Sequence, residues 1–119
     1  MSCGDKCDKR GCHSSLEPLC PTMRTKLLEE IEGWSISLTE PQRLMKTYEF
    51  EDFAMPLEFV NEIGNIAEEM NHHPYIQLAW GKVSVEIWTH AIDDLAMADF
   101  ILAREVDYAR VLFRAEHSI

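Results

Sequence analysis

Apolar residues recur at helical spacing in three parts of the chain and alternate with polar residues in the segments between them. Met23, Leu27, Leu28 and Ile31 predict a short first helix that starts near Pro21 and is stopped by Gly33. Trp34 to Leu38 alternates apolar with polar, Thr39 to Gln42 is a turn containing Pro41, and Arg43 to Phe50 has strand composition in Thr47, Tyr48 and Phe50. These two runs predict an antiparallel hairpin. Phe59, Val60, Ile63, Ile66, Ala67 and Met70 then line one face of a longer helix that Asp52 can cap. Pro56 is awkward one turn inside such a helix and moves its expected start a few residues later. The helix should end over Asn71, His72 and His73, because Pro74 drives the residue before it out of the helical region and cannot continue the ladder.

Tyr75 to Trp80 and Val83 to Thr89 predict a second hairpin, joined at Gly81-Lys82 by a two-residue turn with glycine first. Val83, Val85 and Ile87 should point one way, and Ser84, Glu86, Trp88 and, if the strand persists, His90 the other. The closing helix is expected to begin near Asp93 or Leu95, with an apolar seam of Ala98, Leu102, Val106, Ala109, Leu112 and Phe113. Asp99 falls in its first turn or two, where the helix dipole favours a carboxylate, and Arg104, Arg110 and Arg114 suit its other end. The order α-β-β-α-β-β-α predicts an α+β fold: a four-stranded antiparallel sheet with helices packed on one face.

Composition narrows what this fold can do. A chain of 119 residues makes one domain with one core, and a partner subunit would help bury its surface. A formal charge of -10 argues against a direct nucleic-acid partner, which would need clustered Lys and Arg. No run of 18 apolar residues exists, and the first fifteen residues have no apolar signal core, so the expectation is no membrane span and a cytoplasmic address. Cys3, Cys7, Cys12 and Cys20 all precede the predicted core and match no common zinc spacing. Residues 1–20 carry no net charge and read as an appended tail of flexible thiols, with a zinc site as the alternative; residues 21–119 carry the whole -10 and form the domain.

The chemistry concentrates between Glu68 and Asp99. His72, His73 and His90 lie there, whereas His13 and His117 are isolated and read as surface or packing residues. Three imidazoles and Asp99 could in principle bind a metal, but adjacent histidines are sent in different directions by the backbone and no H-E-x-x-H spacing occurs. Metal-free acid–base chemistry is the stronger reading, with Asp99 or Glu68 orienting an imidazole. No G-x-S-x-G, P-loop or dinucleotide fingerprint is present, and no cysteine lies near the histidines.

The same stretch resembles the pterin-4a-carbinolamine dehydratases. Their pattern sets an acidic residue four before His-His-Pro, an aromatic six after the proline, a histidine ten further on and an aspartate nine beyond that; here these fall on Glu68, His72, His73, Pro74, Trp80, His90 and Asp99. The resemblance extends from about Trp34 through the final helix and leaves the cysteine-bearing segment outside. It implies dehydration of 4a-hydroxytetrahydropterin to quinonoid dihydropterin, a homodimer or homotetramer, a functional link to an aromatic amino acid hydroxylase, and no metal or organic cofactor. His72, His73 and His90 would line the pterin pocket, with His72 and His90 transferring protons and His73 positioning. Trp80 would either stack near the pterin or serve as a core or dimer aromatic. Asp99 would accept a hydrogen bond from an imidazole or hold the loop from Thr89 to Asp93. Glu68 would orient the histidine pair, line the entrance or simply be solvated, and Pro74 would fix where the pair ends. Some members of the family bind a transcription factor through their helices, so a dimerisation or regulator-binding protein is the alternative from another class, and a dehydratase with a metal-binding tail is a second.

Overall fold

Val83, Val85 and Ile87 are buried while the residues between them are only partly so, and the strand that carries them is central to the sheet. The computed structural model describes residues 17–117, with side chains as far as Phe113. Its elements are α1 (Pro21–Glu29), β1 (Ser35–Ile36), β2 (Leu44–Glu49), α2 (Ala54–Met70), β3 (Tyr75–Ala79), β4 (Lys82–Ile87) and α3 (Met97–His117). This is the expected order. The strands form one sheet in the order β1-β2-β4-β3, with every neighbouring pair antiparallel.

Helices α2 and α3 cover one face. Phe59, Ile63 and Ala67 from α2 and Leu102, Val106 and Phe113 from α3 meet Leu44 and Tyr48 of β2 and the buried side of β4. Each large apolar side chain buried this way contributes about 1.5–3 kcal/mol. At one edge of this core Asp107 of α3 accepts hydrogen bonds from Trp34 Nε1 at 2.9 Å, Lys46 Nζ at 2.8 Å and the Tyr48 hydroxyl. Burial, followed by the Asp107 carboxylate, pushes the Tyr48 phenol far above its ordinary value.

Several boundaries differ from the sequence reading, each for a local reason. Helix α2 starts earlier than Pro56 suggested: Asp52 Oδ1 accepts from Met55 N at 3.1 Å, and Pro56 lies in the first turn, where its missing N–H costs no ladder bond. Ala79 pairs with Lys82, so the hairpin turn is Trp80-Gly81, with glycine second; Gly81 takes the positive φ of 79° that the turn requires. Helix α3 starts at Met97, after a loop in which Asp93 has a φ of 50° and Thr89 pairs with Asp94. Leu112, assigned to the inner seam, is exposed.

The packed chain also begins before residue 21. Pro18 bridges to Ala96, Leu19 N donates to Leu95 O at 3.0 Å, and Leu19 and Cys20 are buried. Cys20 is disulfide-bonded, so it is neither a flexible thiol nor a free metal ligand. Cys3, Cys7, Cys12 and His13 lie outside the described residues, as does the side chain of His117.

Candidate active site

The register of the second hairpin builds the site. Tyr75 pairs with Glu86, so the residues just before β3 and just after β4 meet at the end of the hairpin away from its turn. The segment before β3 is the exit from α2. Asn71 closes that helix in the left-handed conformation, φ 53°, and His72 N donates to Ala67 O at 3.1 Å. Asparagine is among the few residues other than glycine that take this conformation readily, and Pro74 then begins the extended segment.

The two adjacent imidazoles therefore leave the backbone toward different carboxylates. His72 Nε2 lies 2.6 Å from Asp99 Oδ1, and His73 Nε2 lies 2.6 Å from Glu68 Oε2. The second pair is exposed on both sides and contributes little to stability. The first is largely buried: Asp99 has no exposed surface and the His72 side chain little. Asp99 Oδ2 also accepts from Thr89 Oγ1 and from Ala96 N, each at 2.8 Å. Three donors thus offset the cost of burying this carboxylate. A carboxylate only accepts, so His72 Nε2 carries the hydrogen and Nδ1 is the ring nitrogen left to exchange a proton with a ligand.

His90 stands on the loop after β4. Its imidazole is exposed and stacks on Trp88, with ring centroids 4.3 Å apart and planes at 25°. Neither ring nitrogen makes a hydrogen bond among the described residues. Asn71, His72, His73, Trp88, Thr89 and His90 line one cleft of about 280 Å³, near the lower end of small-ligand sites. A larger cleft of about 550 Å³ between α2 and α3 presents Glu58, Glu62 and Glu105 and no imidazole.

Residues 17–109 match the family model of pterin 4 alpha carbinolamine dehydratase. The chain belongs to this family. A relative from Rickettsia bellii, named as a pterin-4-alpha-carbinolamine dehydratase, is 43% identical over 97 residues, covering 81% of this chain and 84% of its own length. One of the same name from Chlorobium luteolum is 41% identical over 97 residues, with 81% and 85% covered. A crystal structure of a transcriptional coactivator/pterin dehydratase from Brucella melitensis superposes with a TM-score of 0.74 at 22% identity, over 78% of this chain and 98% of that one; it agrees in fold.

Within this dehydratase-family domain the residues named from the sequence do not all converge. His72, His73 and His90 share the cleft, and Asp99 lies behind His72. Glu68 and Pro74 flank a second cleft of about 450 Å³ between α2 and β3, which meets the first at His73. Trp80 is 70% exposed at the hairpin turn. The five residues of β3 separate it from Pro74, about 20 Å at the usual rise per residue. It is not brought to the imidazoles. The aromatic that is brought there is Trp88, which the sequence reading placed on the His90 side of its strand without treating it as a site residue. Thr89, whose hydroxyl ties the His90 loop to Asp99, was not named as a site residue, although holding the loop from Thr89 to Asp93 was one of the two contacts expected of Asp99; a lone threonine at a strand end carries no signal of its own.

Among the described residues no helix is long and apolar enough to cross a membrane. No three His, Cys, Asp or Glu side chains among them converge as metal ligands.

Proposed function

We propose that the chain dehydrates a 4a-hydroxytetrahydropterin in the cleft of His72, His73 and His90, by proton transfer through His72 and His90. The observation that carries this reading is the convergence of three imidazoles on one cleft, one of them fixed by a buried carboxylate. In the reaction the C4a–O bond breaks and N5 loses its proton. The electron pair left at N5 forms the N5=C4a bond, and the departing hydroxyl takes a proton and leaves as water. One group must therefore donate a proton and another accept one, and no electrons are gained or lost overall. His72, held by Asp99, offers Nδ1; neither ring nitrogen of His90 is hydrogen-bonded among the described residues. These two are the proton-transfer pair in this proposal, and His73, paired with Glu68, positions the substrate.

The stacked faces of Trp88 and His90 suit a flat ring beside them. The same reading includes a homodimer or homotetramer, supported by β3 being an edge strand and by exposed Ile101, Tyr108 and Leu112 on α3. It also includes the cytoplasmic address and the link to an aromatic amino acid hydroxylase expected from the sequence. The test is to generate the carbinolamine chemically and follow its decay with native protein and with His72→Ala and His90→Ala. Acceleration above the uncatalysed rate by native protein, and its loss in both variants, is the expected result. Unchanged turnover in both variants overturns the assignment.

A further inference from the structure

Within the loop that carries His90, Ile92 N donates to Thr89 O at 3.2 Å and Asp93 N to His90 O at 3.3 Å, both longer than the usual backbone hydrogen bond. His90, Ala91 and Asp93 are exposed, so burial does not hold them, and the loop is closed at its base by Thr89 N donating to Asp94 O at 2.9 Å. The Asp94 side chain is in turn held from the far end of the sequence. Arg24 of α1 donates through Nη1 to Asp94 Oδ1 at 2.8 Å and to Gln42 Oε1 at 2.6 Å, and through Nε to Leu19 O at 2.8 Å. Asp94 Oδ1 also accepts from Leu95 N at 2.8 Å. One guanidinium, mostly buried, thus fixes the N-terminal segment, the loop before β2 and the base of the His90 loop at a single point.

Asp94 leads to both proton-transfer groups. On one side its backbone pairs with Thr89, the residue before His90. On the other, Thr89 Oγ1 donates to Asp99, whose second oxygen holds His72. We propose that Arg24 is a positioning residue for the dehydration, holding His90 at the right distance from His72 through Asp94 and Thr89. The inference rests on the function proposed above. Its physical basis is the steep dependence of proton transfer on geometry, where a displacement of about 1 Å costs up to 10²-fold. Arg24 suits this task because its planar fork has several donors in fixed directions, which a lysine ammonium at the same place does not reproduce.

The test is a double-mutant cycle between Arg24 and His90, read by carbinolamine dehydration, together with the imidazole resonances of His90 in the folded full-length chain. Arg24→Gln should lower kcat/KM about tenfold, mostly through kcat, and Arg24→Lys should recover part of the loss. In a His90→Ala background Arg24→Gln should cost less than about twofold, because the group it positions is gone. Asp94→Asn gives the same pattern and serves if Arg24→Gln does not fold. An equal loss in both backgrounds means a merely structural clamp and overturns the proposal, as does native kcat/KM in Arg24→Gln. The His90 resonances should shift or broaden in Arg24→Gln, and unchanged resonances also overturn it. Absence of dehydration by the native protein would instead overturn the function proposed for the cleft, and the resonances would still decide whether Arg24 sets the position of His90.

Discussion

Asp99 and His72 are separated by 27 positions in sequence, yet Asp99 Oδ1 and His72 Nε2 lie 2.6 Å apart with the carboxylate wholly buried. The contact joins the exit of α2 to the first turn of α3 across the end of the β3–β4 hairpin. It leaves Nδ1 as the ring nitrogen of His72 turned away from the carboxylate.

Asp99→Asn tests that contact. The amide keeps the shape but offers an NH2 group to one of the donors that the carboxylate accepts, so either His72 changes tautomer or a buried donor loses its partner. The expected result is a fall in kcat/KM of about 10²-fold or more, with a stability loss of about 1–3 kcal/mol in urea unfolding. Native kcat/KM in this variant would show that the tautomer of His72 is immaterial.

The two tryptophans of the second hairpin should separate cleanly. Trp80→Ala removes an exposed ring at the turn and should leave kcat/KM within about twofold, since surface changes remote from the site are small. Trp88→Ala removes the ring on which His90 stacks and should reduce kcat/KM about tenfold. The reverse ranking, measured side by side, would return the aromatic role to Trp80.

The sequence made the central elements legible because their periodicity is a property of the burial itself. Val83, Val85 and Ile87 alternate because β4 is buried on one face, and Phe59, Ile63 and Ala67 recur because α2 presents one stripe to it. What stayed hidden depends on contacts made at long range. Leu19 and Cys20 look like part of a polar tail until Leu95 and Ala96 pair with that segment, and α3 starts late because Thr89, Asp94 and Arg24 hold the preceding loop. The motif spacing put His72, His73, His90 and Asp99 on the list but not in order of distance, and it gave Trp80 a place that the turn carries away from the cleft.

The Arg24–Asp94 pair should make stability sensitive to acid. The hydrogen bond from Arg24 is the main cause holding the Asp94 carboxyl below the ordinary carboxylate range; burial opposes it, and Leu95 N supports it. A depressed value in the folded state means that the contribution is present above the ordinary aspartate value, about 3.9, and is lost as pH falls through the lower folded value. Urea unfolding of native protein and Arg24→Gln across this range should give stability curves that differ at neutral pH and converge in acid. A constant gap would contradict the assignment.

Tyr48 should stay protonated in the folded protein beyond the ordinary phenol value of about 10, because burial and the Asp107 carboxylate both oppose the phenolate. Its contribution to stability is therefore present below pH of about 10 and is lost as pH rises above it, where the unfolded chain ionises and the folded one does not. Native protein and Tyr48→Phe should show the same phenolate absorbance rise until unfolding. An extra phenolate in the folded native protein near pH 10 would contradict this.

On the proposed mechanism His72 and His90, brought to one cleft by the β3–β4 register, exchange the protons of carbinolamine dehydration. The most direct test is the single-turnover decay of chemically generated 4a-hydroxytetrahydropterin with native protein, His72→Ala, His90→Ala and the double variant, each confirmed as folded. Each single variant should lose about 10²-fold or more of the acceleration, and the double variant should fall to near the uncatalysed rate. Native rates in both single variants would contradict the account.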